Sequence, residues 1–344
     1  MMLVAWICFG SLRHQSVYFH DLETFRDNTR LTQNPALFFS QDLEQRPGRP
    51  LASLAKWASF GLTGNQPGPA HMVVVALHLL ASLLLAVSGR RLGLDRLTAW
   101  LAGLLFLINV AHYQCVHHIS ALDFPLALIF CLGGWLSDRQ QRLSGNGWWL
   151  AATALCLLLG MASHLGAALL APLLLLDRWH SGESWTRAAR NVLAMATVFV
   201  LGAAALLAIT PEDTSTQISL RNAAGDLPAA VVGSLRMYAW MSSRLLTTAH
   251  WLPLPLAELS TVELVMGLVF TIGLVWIALR RSQPLAPWAA WTLLGLAPFA
   301  LISEHLTMGA LEGPSHYLYL ASAGTSVLLA GALLWGARRM DGLV

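Results

Sequence analysis

The chain is predicted to be all-α, a polytopic transmembrane helical bundle of about ten spans with a long first extracytoplasmic loop. Three observations carry this. First, the composition is 56% hydrophobic and only 11% charged over 344 residues, at a mean hydropathy of +0.58. That leaves too few charges to cover the surface of a soluble domain. Second, apolar runs of span-like length recur along the chain, each bounded by charge or by Gly/Pro. Third, arginines collect after every second run, as expected when Lys/Arg are retained in cytoplasmic loops.

The first apolar run, residues 1–12, makes roughly 18 Å of helix, short of a ~30 Å hydrocarbon core. It has no basic n-region and no small-residue cleavage site, so it is not read as a signal peptide. It is expected to be a first helix, either truncated at its start or continued up to Phe19. Residues 13–68 then form the longest polar interval. Asp21, Glu23, Asp27, Asp42 and Glu44 alternate there with Arg26, Arg30, Arg46, Arg49 and Lys56, before the run GLTGNQPGPA. So long an interval between spans is usually functional or disordered, and it is read as the active-site side of the molecule.

Further spans are expected at 70–89, 97–112, 122–137, 147–162, 165–177, 191–209, 259–279, 286–302 and 317–336. Arg90, Arg91 and Arg96 follow the second span, Arg139 and Arg142 the fourth, Arg178, Arg187 and Arg190 the sixth, Arg280 and Arg281 the eighth, and Arg338 and Arg339 the tenth. These loops are alternate, which puts them in the cytoplasm and the long first loop outside, at the extracytoplasmic face of a bacterial inner membrane. Counting residues 228–250 as a span would break this parity. With Arg236 and Arg244 flanking Met237, Trp240 and Met241 at helical spacing, that segment reads either as an amphipathic helix in the outer interface or as a short re-entrant helix. The chain is expected to be one membrane domain, 1–344.

A net charge of +3 with no basic, aromatic-interleaved stripe excludes nucleic acid as a partner. Cys8, Cys115, Cys131 and Cys156 form no CxxC pair, so neither a disulfide framework nor a thiolate metal site is indicated. Phosphate-binding Gly loops, HExxH and GxSxG are absent from the sequence.

On this topology the acids and ten of the twelve histidines gather on the outer side, where a site at the interface needs them. Asp21 and Asp27 suit a general base or a divalent-cation ligand, and equally a solvated loop paired to Arg26 and Arg30. Asp123, before Phe124 and Pro125, is either a helix N-cap or a site acid, and capping is the simpler reading. His112, His117 and His118 lie at one turn, where they read either as metal ligands or as interfacial hydrogen-bonders. His164 and His316 admit the same two readings. Tyr317 and Tyr319, and Trp148, Trp149, Trp179, Trp185, Trp288 and Trp291, read as interfacial belt residues.

The order of these features resembles the GT-C superfamily of membrane glycosyltransferases, closest to the transmembrane and tetratricopeptide-repeat O-mannosyltransferase branch. FRDNTRLTQNP (Phe25 to Pro35) resembles the family's first-loop pattern of an aromatic and paired acids followed by Asn-Pro. Arg49-Pro50-Leu51 with GNQPGPAHMVVVALHLLASLLLAV resembles its loop end and second helix. NVAHYQCVHHISALD (Asn109 to Asp123) is similar to its His-and-acid stretch, GMASHLGAALLAPLLLLDRW to its Ser-Lys-Glu turn, and GPSHYLYLASAGTSVLLA to its late Arg-Tyr-Leu-Tyr-Leu-Pro segment. The resemblance implies a bundle of ten or more helices with an outward cavity under the first loop. It also implies a polyprenyl-phosphate-linked sugar as donor and inversion at the anomeric carbon. Asp27 and Asp21 would then supply the first-loop carboxylates and Asp123 the second acid, with a divalent metal as one option for the cofactor. His316, His164, Arg49, Tyr319 and Gln114 would line the substrate site.

The pattern departs from the family at four places. Arg26 stands for the first paired acid, Gln114 for the Glu, His164 and Leu165 for Lys-Glu, and His316 for the late Arg. A second reading follows from these departures: a non-catalytic relative serving as a structural subunit of a larger membrane complex, with the outer histidines binding a metal or pigment. Membrane lipids are partners on either reading.

Overall fold

The computed structural model describes residues 1–15, 19–39, 49–109, 113–208, 225–247, 261–280, 283–300 and 315–341. Among these every regular element is a helix. The first run is a short helix, α1 (Met2–Phe9), tightened into a 3-10 turn over Gly10–His14. The polar interval that follows is largely helical, with α2 (Phe19–Gln33) and α3 (Pro50–Thr63). The sequence permits this, because α2 meets no Gly or Pro before Asn34-Pro35, and Asp21 in its first turn and Arg30 in its last complement the helix dipole. Pro50 at the first position opens α3 and Gly64, at φ +61°, closes it in the left-handed region that glycine tolerates.

The helices that follow are α4 (Pro67–Arg91), α5 (Arg96–Leu107), α6 (Gln114–His117), α7 (Asp123–Ser144), α8 (Trp148–Ser163), α9 (Leu170–His180) and α10 (Trp185–Ala208). After them come α11 (Leu227–Thr247), α12 (Thr261–Ala278), α13 (Ala286–Ala300) and α14 (Tyr319–Asp341). Among the described residues four stretches are long and apolar enough to cross a membrane: Pro67–Arg91, Ile119–Ser144, Thr261–Ala278 and His316–Met340. Arg96–Leu107 and Trp148–Ser163 are apolar but shorter.

The chain divides into two compact units. The first comprises Met1–Leu84, Tyr113–Leu174 and Arg190–Glu212. In it α7 and α8 pack through small residues. A Cβ on Gly134 would press Leu170 at 2.6 Å and the Cys156 Cβ at 3.2 Å, and one on Gly160 would meet Ala167 at 3.0 Å. Phe60, Ala70 and Ile119, with Phe25 against them, tie α2, α3, α4 and the turn before α7 together.

The second unit comprises Leu85–His112, Leu175–Ala189 and Asp213–Val344. Here α11 crosses α12 at Gly267, where a Cβ would overlap the Ala239 carbonyl. α13 and α14 approach through Gly295, whose Cβ would lie 2.9 Å from the Ala321 backbone, and through Gly324 against the Trp288 carbonyl. That close approach encloses Trp288 and Trp291, and Trp291 Nε1–H donates to the Leu320 carbonyl at 2.7 Å. These two tryptophans are therefore core residues and not the belt residues expected above, whereas Trp148 and Trp185 stay exposed at helix starts. Tyr319 is likewise buried, edge-on to Phe106 at 5.2 Å. On α11 the apolar side of Met237, Trp240 and Met241 is buried, and Arg244 goes in with it, ion-paired to Glu263 at 3.4 Å.

Candidate functional site

The site is built on α2 of the first unit. Its buried residues recur every three to four positions, Asp21, Thr24, Asp27, Asn28 and Leu31, so they form one face of the helix. Four of the five are polar. Leu22, Arg26, Thr29 and Thr32 face outward. α3 repeats the arrangement, burying Ser53, Lys56 and Ser59 with Phe60 while Leu54, Trp57 and Leu62 face outward. A helix of a soluble protein turns its apolar stripe inward. On α3 this order is inverted, with polar side chains inside and apolar ones out, as suits a protein that encloses a polar site within an apolar solvent, whereas α2 is polar on both faces.

Asp21 is fully buried. Its Oδ1 accepts the Ser120 backbone N–H at 2.8 Å, and its Oδ2 is buried without a hydrogen-bond partner among the described residues. Ser120 lies in the 3-10 turn Ile119–Ala121 that leads into α7, so the bond carries α2 to within three residues of Asp123. Asp123 is also fully buried, and its carboxylate is ion-paired with Arg49, which enters from the start of α3 with its side chain 26% exposed. Capping, the simpler sequence reading of Asp123, is thus corrected. Leu122 occupies the N-cap position with no side-chain cap, and the Asp123 carboxylate is turned to a guanidinium instead.

Asp27 lies on the same buried face of α2 and pairs with Arg30, one turn on, at 3.6 Å. Gln114 is buried in α6. His164 Nδ1 accepts the Gly166 N–H at 2.9 Å, which leaves the neutral ring's proton on Nε2, and the ring packs on Phe124 at 4.3 Å. Asp21, Asp27, Asp123, Arg49, Gln114 and His164 therefore all belong to the first unit. His316 and Tyr319 belong to the second, where His316 packs on Tyr317 at 4.1 Å and Tyr317 stacks on Phe299 at 5.0 Å.

Of the three histidines proposed as metal ligands, His112 lies outside the described residues. His117 sits edge-on to Phe9 at 6.3 Å and beside Tyr113 at 6.0 Å, and His118 is buried. Burial, and then the neighbouring His118 and His71, push His117 below the ordinary histidine value. No group of three His, Cys, Asp or Glu side chains among the described residues is arranged to hold a metal. Two of the three site acids are already paired to arginines. No chemistry below is routed through a divalent cation.

Sequence reasoning passed over Lys56, Thr24, Asn28 and the Ser120 N–H. Lys56 carried a usable signal: it is the single lysine of the chain, set at helical spacing between Ser53 and Ser59. The Ser120 N–H carried none, since it is a backbone group brought to Asp21 by tertiary packing alone.

Compared with known proteins, the chain matches no protein family, no curated protein and no solved structure.

Proposed function

We propose that the chain is an integral-membrane sugar transferase of about ten spans, working at the extracytoplasmic face of a bacterial inner membrane on a polyprenyl-phosphate-linked donor. One observation carries this reading: the polar faces that α2 and α3 bury, Asp21, Thr24, Asp27 and Asn28 on the first and Ser53, Lys56 and Ser59 on the second. Buried polar groups are costly, and inside a membrane protein they mark function by default. The resemblance to GT-C enzymes supplies the reaction class, as analogy of fold and motif order.

Asp21 is the general base. Its Oδ1 is fixed by the Ser120 N–H, so Oδ2 is held and available to an acceptor hydroxyl. The acceptor proton passes to Oδ2 as the acceptor oxygen bonds to the anomeric carbon from the face opposite the donor phosphate. The glycosidic carbon–oxygen bond breaks, and its electron pair leaves with the polyprenyl phosphate. Asp27, already paired to Arg30, and Asp123, already paired to Arg49, shape the field around the base. The Arg49 fork, partly exposed, would meet a phosphate oxygen of the donor.

The test is native purification in mild detergent followed by mass spectrometry and a transfer assay with the co-purified lipid-linked sugar. The reading expects a lone chain carrying polyprenyl phosphate or its sugar conjugate. Asp21→Asn, which keeps the Ser120 bond, should lose at least a hundredfold in transfer while the lipid stays bound, since general-base catalysis contributes about 10²–10⁴-fold.

A second reading, a structural subunit of a larger membrane complex, draws on the Arg49–Asp123 pair, which neutralises one of the family-equivalent acids. Recovery in fixed stoichiometry with other membrane proteins, without lipid-linked sugar, would establish it and overturn the enzyme reading.

A further inference from the structure

The sequence contains Trp-x-x-x-Arg four times, at 135/139, 240/244, 276/280 and 335/339. The spacing is one helical turn, so each arginine can fold back over its tryptophan. The four are not equivalent. Trp135 is fully buried in α7, and Arg244 is buried on α11 and ion-paired to Glu263. The remaining two stand at the C-terminal ends of α12 and α14, both candidate membrane spans. In these two Trp276 is 55% and Trp335 60% exposed. The Arg280 guanidinium lies 3.6 Å from the Trp276 ring centroid and that of Arg339 4.2 Å from Trp335. Neither arginine has a carboxylate partner among the described residues.

Within the second unit these two ends are at one end of the bundle. α13 begins just after α12 closes, and its preceding residue Leu285 packs at the level of Gly331, one turn before Trp335. His180 Nε2 and the Ala278 carbonyl, 2.6 Å apart, bring the end of α9 to the end of α12. Arg338, beside Arg339, reaches Asp95 at the start of α5 at 3.3 Å. Arg90, Arg91 and Arg96 stand exposed around that same α4–α5 turn. Arginine is therefore in excess at this end, where Asp95 is engaged by Arg338 and Glu183, just after α9, by Arg178.

We infer that the Trp276–Arg280 and Trp335–Arg339 pairs each bind the phosphate of an anionic membrane lipid. Trp at the end of an apolar span sits at headgroup depth, with its ring on the acyl boundary. A guanidinium at stacking distance from that ring is held by its face, which leaves the in-plane N–H donors directed outward, the fork that takes two phosphate oxygens. Lysine offers no such fork, and the chain carries arginine at every one of these positions. The lipid source follows from the position, since a span end is where lipid phosphate is concentrated. This inference is independent of the sugar-transfer reading.

The experiment uses the full chain, exchanged into phosphatidylcholine nanodiscs with graded phosphatidylglycerol and released into native mass spectrometry. Wild type is expected to retain phosphatidylglycerol over phosphatidylcholine. R280Q/R339Q should lower that preference by about fivefold per arginine, the worth of one basic side chain at an anionic surface. R280K/R339K keeps the charge but not the fork, and should fall between the two. Arg190→Gln, in the other unit, controls for charge loss alone and should match wild type. Both arginines are exposed, and an unchanged melting curve for R280Q/R339Q confirms that the fold is kept. Equal retention of the two lipids by wild type, or equal preference in wild type and R280Q/R339Q, overturns the site. Displacement of phosphatidylglycerol by millimolar inorganic phosphate overturns its assignment to lipid.

Discussion

Replacing Arg49 by Met tests the centre of the site most directly. Asp123 has a side chain with no exposure to water, and Arg49, 74 residues earlier, is its ion-pair partner with 26% of its own side chain exposed. Removing the cation leaves a carboxylate that can neither pair with Arg49 nor reach solvent. Breaking a buried pair in this way costs about 3–5 kcal/mol. Because Arg49 is partly wetted, the lower end of that range, about 3 kcal/mol, applies. At roughly 2–4 °C per kcal/mol for a unit of this size, the midpoint should fall by about 6–12 °C. The converse change is milder. Asp123→Leu leaves Arg49 able to turn to water and should cost about 1–2 kcal/mol. The double variant R49M/D123L removes both charges and should lie within about 1 kcal/mol of wild type. The assay is thermal unfolding in one detergent, followed by tryptophan fluorescence, for all four proteins. An Arg49→Met protein that melts within about 2 °C of wild type, less than a 1 kcal/mol loss would give, would refute the argument. So would a double variant whose loss is the sum of the two single losses, because uncoupled residues do not form a functional pair.

Asp95 caps α5, accepting from the Thr98 N–H at 3.0 Å and the Thr98 hydroxyl at 2.6 Å, and those bonds with the Arg338 contact hold its carboxyl at about 2. A folded value below the ordinary 3.8 means the stabilisation is complete above 3.8 and is lost as pH falls through about 2. Asp95→Ala should cost about 1 kcal/mol at neutral pH and flatten that acid limb in an unfolding series, whereas Asp95→Asn keeps the cap and should cost less. Gly267→Ala, which sets a Cβ against the Ala239 carbonyl, should force α11 and α12 apart and cost about 1–3 kcal/mol; an unchanged midpoint would show that the crossing is loose. For His117, depressed by burial and its histidine neighbours, the neutral ring is favoured in the folded state, so its stabilisation is complete above the ordinary value of 6.5 and is lost as pH falls below it. His117→Gln should remove that slope below pH 6.5, measured by the same melts.

The helices themselves were legible because their signals are local. Apolar periodicity, Pro at a first turn, Gly after a last turn and a Pro after Asn34 act within a few residues. The expected elements at 70–89, 122–137, 259–279 and 317–336 accordingly fall on α4, α7, α12 and α14. The interval 13–68 was legible as polar and unusual, but not as helical, since its buried polar stripe reads in sequence like the solvated face of a loop. Asp21, Asp27 and Asp123 were found as acids with chemistry to offer, yet their roles could not be ordered from spacing.

What the sequence determined by itself is therefore the helical, membrane-apolar character of the chain and the stock of acids and arginines it carries. These are sums over short windows. Tertiary structure alone decided that α2 turns its acids inward, that Asp123 meets a guanidinium 74 residues away where a cap was expected, and that Asp21 takes a backbone N–H from the turn before α7. It also decided that Trp288 and Trp291 are core while Trp276 and Trp335 are surface. The physical reason is common to all four. Burial and pairing depend on which helix faces come together, and that is set by close approaches such as Gly295 to Ala321, between residues far apart along the chain.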